Sequence, residues 1–127
     1  MRGLLLVLLM ATCPHAAGEW VRVAESGGLT IYFDPETVSR TESTVKLLTM
    51  QDHAKPRATM RGWLYRSVKT ENEFDCKQER MRSVHSVFHF GQMGGGMVVA
   101  NEYSGGWTPL AQDEASGSLW KLACAKK

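Results

Sequence analysis

The sequence contains no apolar run long enough to cross a membrane as a helix. Its longest uninterrupted run, residues 4–11 (LLLVLLMA), is much shorter than the ~20 apolar residues that a bilayer-spanning helix needs. An excess of one charge is also missing, because 15 Lys and Arg residues face 13 Asp and Glu residues, for a net charge of +2. A nucleic-acid-binding protein usually carries a basic stripe, so no nucleic-acid partner is expected.

The common sequence motifs of enzymes are missing too. No GxSxG occurs, and the glycines at 91, 94, 95 and 96 do not fit the GxGxxG of dinucleotide-binding folds. His85 and His89 would lie about 13 Å apart on a strand, too far to share a zinc ion, whereas on a helix they could share one. Because a strand is favoured over this stretch, we expect no metal site. Because the enzyme motifs are missing, we expect a non-enzymatic protein with no cofactor.

The start of the chain has the order of a secretory signal. Arg2 precedes the apolar run, Pro14 follows it, and the small residues 16–18 stand directly before Glu19. We predict a signal peptide over residues 1–18 and one exported domain over residues 19–127, located in the periplasm or at the cell surface. The alternative is a buried N-terminal helix of a cytosolic protein.

Cys13 allows a second kind of processing. A lipoprotein carries its acylated cysteine directly after such a run, although Thr12 is bulkier than the small residue expected before it. Acylation would anchor the protein, so a membrane partner, including outer-membrane association, is expected only in that case. Cleavage before Glu19 and acylation at Cys13 are both left open.

Cysteine is scarce, with three in 127 residues. Removal of residues 1–18 leaves Cys76 and Cys124, and an even count in an exported chain indicates a disulfide. Neither cysteine belongs to a CxxC pair or has a histidine at ligand spacing, so a zinc site is disfavoured.

Alternating apolar and polar residues predict a mostly β domain of the α+β class. Four runs show this pattern: 20–24, 29–33, 44–52 and 63–74. The last of them is either one long strand or an interrupted pair. The first two are joined by a tight turn. Residues 34–37 (DPET) predict a turn or a single helical turn, and residues 55–57 (KPR) are expected to end the third strand.

The second half adds two strands and one helix. Residues 79–90 fit a helix or a strand, and their β-branched and aromatic side chains favour the strand. The glycines of residues 91–96 predict a reversal before a strand at 97–100. Residues 113–123 predict a helix capped by Ser116 or Ser118, and Trp107 and Trp120 are expected to pack between sheet and helix.

Several segments occur in an order that points to a known family. After Trp20 come YFDPETVSR (32–40), VKLLTMQD (45–52), EFDC (73–76), MGGGMVV (93–99) and LWKLAC (119–124). Together they resemble the surface-adhesin protein E-like domains of Gram-negative bacteria, over essentially all of residues 20–124. The resemblance implies a six-stranded antiparallel sheet, a C-terminal helix and a Cys76–Cys124 bond. It also implies adhesion to host extracellular-matrix or plasma proteins such as laminin, vitronectin and plasminogen.

One surface is a candidate for binding. Arginine, tryptophan and tyrosine are enriched at the hot spots of protein interfaces, and five such residues lie close together in the chain: Arg57, Arg61, Trp63, Tyr65 and Arg66. The alternative is that Trp63 and Tyr65, which share one face of a strand, belong to the core.

A second cluster is acidic. Glu71, Glu73 and Asp75 alternate along one strand, which predicts either a weak calcium site or, preferably, a solvated sheet edge that resists pairing with other chains.

The sequence therefore predicts an exported binding module of the cell envelope, with adhesion to host proteins as the leading hypothesis. A periplasmic inhibitor or stress-related protein that binds an enzyme is the competing class.

Overall fold

The alternating pattern corresponds to an antiparallel sheet in the computed structural model, which describes residues 19–103 and 105–125. The strands and helix are β1 (Val21–Ser26), β2 (Leu29–Arg40), β3 (Thr44–Ala58), β4 (Leu64–Asp75), β5 (Arg80–His89), β6 (Val98–Tyr103), β7 (Thr108–Pro109) and α1 (Glu114–Cys124). The predicted signal peptide and Cys13 lie outside the described residues.

The strands lie side by side in chain order. The sheet runs from β1 to β6, every pair is antiparallel, and the short β7 pairs with β5 beside β6. Such a meander needs only short reversals between neighbouring strands. The predicted six-stranded antiparallel sheet with one C-terminal helix is confirmed, with β7 as a short addition.

The predicted turn at residues 34–37 does not end the second strand. The Asp34 carboxylate accepts a hydrogen bond from the Glu36 N–H (3.0 Å), and the Thr37 hydroxyl donates to the Asp34 carbonyl (2.6 Å). These bonds form a local turn, but the pairing with β3 resumes at Ser39 after a register shift. The turn is a bulge inside a longer strand.

The prediction that residues 55–57 end the third strand was also wrong. β3 continues to Ala58, and its pairing with β4 shifts register between Asp52 and Arg57. Pro56 has no N–H to give to a ladder, and a bulge is one place where a strand accepts proline. The strand therefore extends beyond its proline to a hairpin turn.

The main core lies between the sheet and α1. Its buried apolar side chains come from β2, β3, β4 and the helix: Phe33, Val45, Leu47, Phe74, Leu119 and Ala123. Trp120 packs edge-on against Phe74, with ring centroids 6.2 Å apart, so the predicted role of Trp120 is confirmed. Trp107 instead lies over the guanidinium groups of Arg82 (4.6 Å) and Arg80 (5.2 Å), a cation–π arrangement.

The helix begins earlier than its predicted serine caps. The Asp113 carboxylate accepts the Ser116 N–H at 2.7 Å, and this hydrogen bond lowers the pKa of Asp113. A carboxylate at this position satisfies an orphan donor and faces the positive end of the helix dipole, so Asp113 is the cap in place of Ser116 or Ser118.

The C-terminal end of the helix is held at two points. Arg40 donates to the Ala123 carbonyl at 2.6 Å, which satisfies one of the carbonyls left free at a helix end. Cys124 is bonded to Cys76, with Cα atoms 5.5 Å apart. The disulfide joins the residue after β4 to the last residue of α1, as predicted.

The acidic cluster is not at a solvated edge. β4 lies between β3 and β5, and both Glu73 and Asp75 are buried. Glu73 accepts from Arg82 at 2.7 Å and Asp75 accepts from Arg80 at 2.9 Å; the latter contact holds the pKa of Asp75 below its usual value. Alternating charges suit an interior strand when the neighbouring strand supplies cations opposite them.

None of the helices in the described part of the chain combines the length and the apolar character that crossing a membrane requires.

Candidate binding surface at the sheet tip

Two chain reversals lie together at one end of the sheet. The first joins β3 to β4 and the second joins β5 to β6; we call residues 57–66 and 90–98 the tip. Pairing of Ser67 with His89 brings the two reversals side by side. The disulfide lies at the opposite end of β4, so the helix attachment and the tip are separated along the sheet.

The first reversal is held by its own hydrogen bonds. The Thr59 N–H donates to the Trp63 carbonyl (2.8 Å), and the Gly62 N–H donates to the Thr59 carbonyl (2.8 Å). Gly62 has φ +84°, a conformation that favours glycine. The turn therefore projects Met60 and Arg61 outward at its apex.

The second reversal is anchored to β3 and β4. The Met93 N–H donates to the Asp52 carboxylate (2.7 Å), which holds Met93 at φ 54°. The Gly94 N–H donates to the Ser67 hydroxyl (2.8 Å). A Cβ at Gly94 would lie 2.3 Å from Lys69 Cε. The predicted glycine reversal is confirmed, and its anchors give it a defined position.

The structure brings the five predicted surface residues onto this one hairpin. Arg57 is exposed and pairs in register with Tyr65. Arg61 is exposed, and its guanidinium carbon lies 6.0 Å from the centre of the Trp63 ring. Trp63 is 49% exposed, so it is not the core residue of the alternative interpretation.

Tyr65 and Arg66 differ from the other three. Tyr65 is half-buried and lies edge-on to Phe88 (4.9 Å between centroids) and to His53 (5.8 Å). Arg66 is half-buried and donates to the Ala54 carbonyl. Both positions hold the hairpin in place, which leaves Arg57, Arg61 and Trp63 as the accessible members.

A cleft of about 650 Å³ opens beside these residues. Arg61, Trp63 and Tyr65 line it from the hairpin, and Phe88 and Ala100 line it from β5 and β6. An aromatic floor with an arginine at its rim has the composition of an anchor pocket at protein interfaces.

The sequence did not reveal a set of exposed apolar residues at the same tip. Trp63 shares one shallow surface with four of them: Leu64, Phe90, Met97 and Val98. We call these five residues the apolar crown. Met60 stands beside them at the turn apex, fully exposed at 106%. Only the register between β4 and β5 brings residues 63–64 next to residues 90–98, so no local pattern identifies the crown.

Charge is distributed unevenly around the tip. Residues 53–70 contain five cationic side chains and no acidic one: Lys55, Arg57, Arg61, Arg66 and Lys69. Two acidic residues lie beside the tip: Asp52, which is buried and bonds to Met93, and Glu102, which lines the cleft. The charged side chains of the first reversal itself, residues 57–66, are all cationic, although the whole chain is nearly neutral.

Two buried histidines lie at the base of the tip. Burial lowers the pKa of His53, and the charge of Arg57 lowers it further. Burial also lowers the pKa of His89, with Lys69 adding to the effect. His53 Nε2 and His89 Nδ1 have no hydrogen-bond partner among the described residues, so protonation of either would bury a charge at a cost. The Asp52 charge beside His53 and a Gly96 backbone hydrogen bond to His89 act in the opposite direction, and in both histidines the lowering of the pKa prevails.

We expect acidification to weaken the fold through these two residues. Their folded pKa values lie below 6.5, so the unfolded chain binds more protons as the pH falls through that value. Their contribution is complete above about pH 6.5 and is lost as the pH falls from there through their folded pKa values. Urea unfolding between about pH 7.5 and about pH 5 should show this slope.

The slope should shrink in His53→Gln and His89→Gln. His85→Gln is the matched control, because His85 stacks on Tyr103 (4.3 Å between centroids) and bonds to Asn101. An unchanged slope in the double variant H53Q/H89Q would contradict the assignment.

A second groove, of about 520 Å³, lies between the sheet and the start of α1. Apolar and polar side chains both line it, and buried polar groups there bond to one another: Asn72 donates to Thr49 (2.7 Å), and the hydroxyls of Thr70 and Ser86 are 2.9 Å apart. These bonds account for the buried polar side chains without a ligand. Over residues 19–103 and 105–125, no three His, Cys, Asp or Glu side chains are grouped to hold a metal.

Comparison with known families identifies the chain. The family model of surface-adhesin protein E matches residues 20–125, which is nearly all of the region that the structure describes. The chain belongs to the surface-adhesin protein E family. The resemblance suggested by the sequence segments is thus confirmed, and it supports a surface adhesin.

Solved structures of this family share the fold. A second crystal form of Haemophilus influenzae protein E covers 84% of this chain, and 87% of that chain is matched, with 17% identity and a TM-score of 0.67. Protein E from non-typeable Haemophilus influenzae covers 84% of this chain, and 75% of that chain is matched, with 17% identity and a TM-score of 0.62. None of the curated proteins matches.

Proposed function

We propose that this protein is an exported, non-enzymatic surface adhesin that binds host extracellular proteins through the cleft at its tip. The main support is the cleft itself, which Arg61, Trp63, Tyr65 and Phe88 line. The chain that forms it is a member of an adhesin family. Arginine and aromatic side chains with access to solvent supply the anchors that protein partners use.

The stable hairpin supports this assignment. Tyr65 is fixed by Phe88 and His53, so the cleft is formed before a partner arrives. A preformed site binds more tightly because less conformational entropy is lost on association. On the hairpin side of the cleft, Arg61 in the lining and the exposed Arg57 nearby favour acidic segments of a partner and speed their encounter. Glu102 lines the side formed by β6.

Capture on immobilised laminin and vitronectin tests the proposal. The exported protein should bind at micromolar concentration, and the double variant Arg57→Ala/Arg61→Ala should bind at least about tenfold more weakly. Lys77→Ala is the matched control, since Lys77 is an exposed cation beyond the far end of β4.

Three outcomes are informative. Binding that requires the two arginines and tolerates Lys77→Ala supports the cleft. Binding no stronger than that of an unrelated protein contradicts host adhesion. Inhibition of a lysozyme or a protease by the purified domain, without capture, would favour the periplasmic inhibitor instead.

A further inference from the structure

The apolar crown has properties that protein binding in the cleft does not explain. Leu64, Phe90, Met97 and Val98 lie outside the residues that line the cleft. Met97 is 68% exposed, and Met60 at the turn apex is fully exposed. Side chains of this size are costly to leave in water, and a contiguous exposed apolar patch marks an interaction site.

The crown lies at one end of the sheet, where its side chains project from two chain reversals. Protein hot spots favour well-packed pockets, whereas Met60 stands free at the apex of its turn. Projecting apolar side chains can enter the boundary between lipid headgroups and acyl chains. Trp63, with an apolar ring and a polar N–H, is the residue type that accumulates at that boundary.

Charge selects the kind of lipid. The five cations of residues 53–70 have no acidic residue among them, and Lys55, Arg57 and Arg61 are exposed. Basic side chains beside an inserting apolar group are attracted to anionic headgroups. Two acidic residues lie beside the tip: Asp52, which is buried, and Glu102, which lines the cleft on the side of β6. The charged side chains of the hairpin apex itself are all positive, so such a surface attracts them.

We propose that the tip docks onto anionic lipid bilayers, with the apolar crown and Met60 entering the headgroup region and the basic residues facing the lipid phosphates. The protein then lies on the bilayer and does not span it. The proposal can be tested apart from host-protein adhesion. Trp63, Met60 and Arg61 belong to both surfaces, but four crown residues do not line the cleft: Leu64, Phe90, Met97 and Val98.

Vesicle sedimentation tests the docking. The chain is expressed for export with Cys13→Ser, so that no acyl chain contributes to binding, and intact mass verifies that the apolar run of residues 4–11 has been removed. Vesicles with about 30% phosphatidylglycerol in phosphatidylcholine should bind the protein at least about tenfold more tightly than phosphatidylcholine alone. About 0.5 M salt should remove most of the difference, since it screens charges beyond a few ångströms.

Substitutions assign the binding to the crown. The double variant Leu64→Ser/Met97→Ser should lose about tenfold or more in affinity, because two large apolar side chains no longer leave water. Leu122→Ser is the matched control: Leu122 is 44% exposed, close to the 51% of Leu64, but lies on α1. Equal binding by the double variant and the control would overturn the proposal.

Fluorescence gives a direct readout of depth. Lipids brominated near the headgroup end of their chains should quench part of the tryptophan emission, and Trp63→Phe should remove that quenching while the three other tryptophans stay. Absence of quenching in the wild-type protein contradicts insertion.

The remaining outcomes distinguish a lipid bilayer from other partners that could cover the crown. Binding that depends on charge but tolerates Leu64→Ser/Met97→Ser would show a surface for anions only and overturn docking. A dimer lost on Leu64→Ser/Met97→Ser, without vesicle binding, would place a second copy at the crown and overturn it too. Vesicle binding without laminin or vitronectin capture would refute only the adhesion proposal, and capture without vesicle binding would refute only this one.

Discussion

Replacing Phe74 with alanine is expected to lower the free energy of unfolding by about 3–5 kcal/mol. Phe74 is fully buried at 0% exposure and packs with Trp120 across the interface between sheet and helix. The substitution removes the ring from the apolar cluster that joins α1 to the sheet, and the close-packed strands on either side limit collapse into the cavity. Urea unfolding followed by circular dichroism measures the loss.

Phe90→Ala is the matched control for this effect. Phe90 is 51% exposed at the tip, so its truncation should change stability by less than about 1 kcal/mol. Similar losses in the two variants would mean that the buried layer around Phe74 is not the main source of stability. The same control is informative at the crown, where Phe90→Ala should weaken vesicle binding.

Loss of the disulfide is expected to cost about 4 kcal/mol for a closed segment of this length. Cys76 and Cys124 are 48 positions apart, and the bond restricts the unfolded chain over that span. A net stability of ~5–15 kcal/mol is typical of small domains, so Cys76→Ser should leave a marginal fold. Cys124→Ser should have the same effect, and the double variant should be no less stable than either single variant.

Reduction provides an independent check on the bond. A reductant should bring the wild-type protein to the stability of the double variant and should not change that variant further. Additive losses from Cys76→Ser and Cys124→Ser would contradict a shared bond.

Much of the sheet could be predicted because alternation is a local property. The fourth strand was located nearly to both ends and the third at its start, since residues 44–52 and 63–74 alternate regularly, but the third strand continues to Ala58. The stretch at 79–90 was resolved in favour of a strand by its β-branched and aromatic side chains. Local patterning fails where a strand tolerates an irregularity: the turns at Asp34 and Pro56 became bulges because long-range pairing resumed after them.

The roles of charged residues were harder to predict. Glu73 and Asp75 alternate as they would on an exposed edge, and only the arginines that β5 places opposite them make an interior position possible. Which strand lies beside β4 decides between an exposed edge and an interior position. No single segment of the sequence encodes the order of the strands.

The candidate binding residues remain a prediction, and the structure shows only where they lie. The five residues are close in sequence, so any hairpin over this stretch brings them together: Arg57, Arg61, Trp63, Tyr65 and Arg66. Their exposure to solvent was not predictable from the sequence. Tyr65 and Arg66 are held by contacts with β5 and β3, and Trp63 has no such cover. The apolar crown was missed because its members come from two reversals more than 25 residues apart.

By itself, the sequence determined a mostly β domain with the strand segments, the glycine reversal, the terminal helix and the family resemblance, since each depends on neighbouring residues or on the order of short segments. The tertiary structure decided which side chains are covered. It buried Glu73 and Asp75 of β4 opposite arginines, turned two predicted strand ends into bulges, and gathered apolar and basic residues at one tip. The physical reason is register: pairing between distant strands fixes which face and which end each side chain occupies.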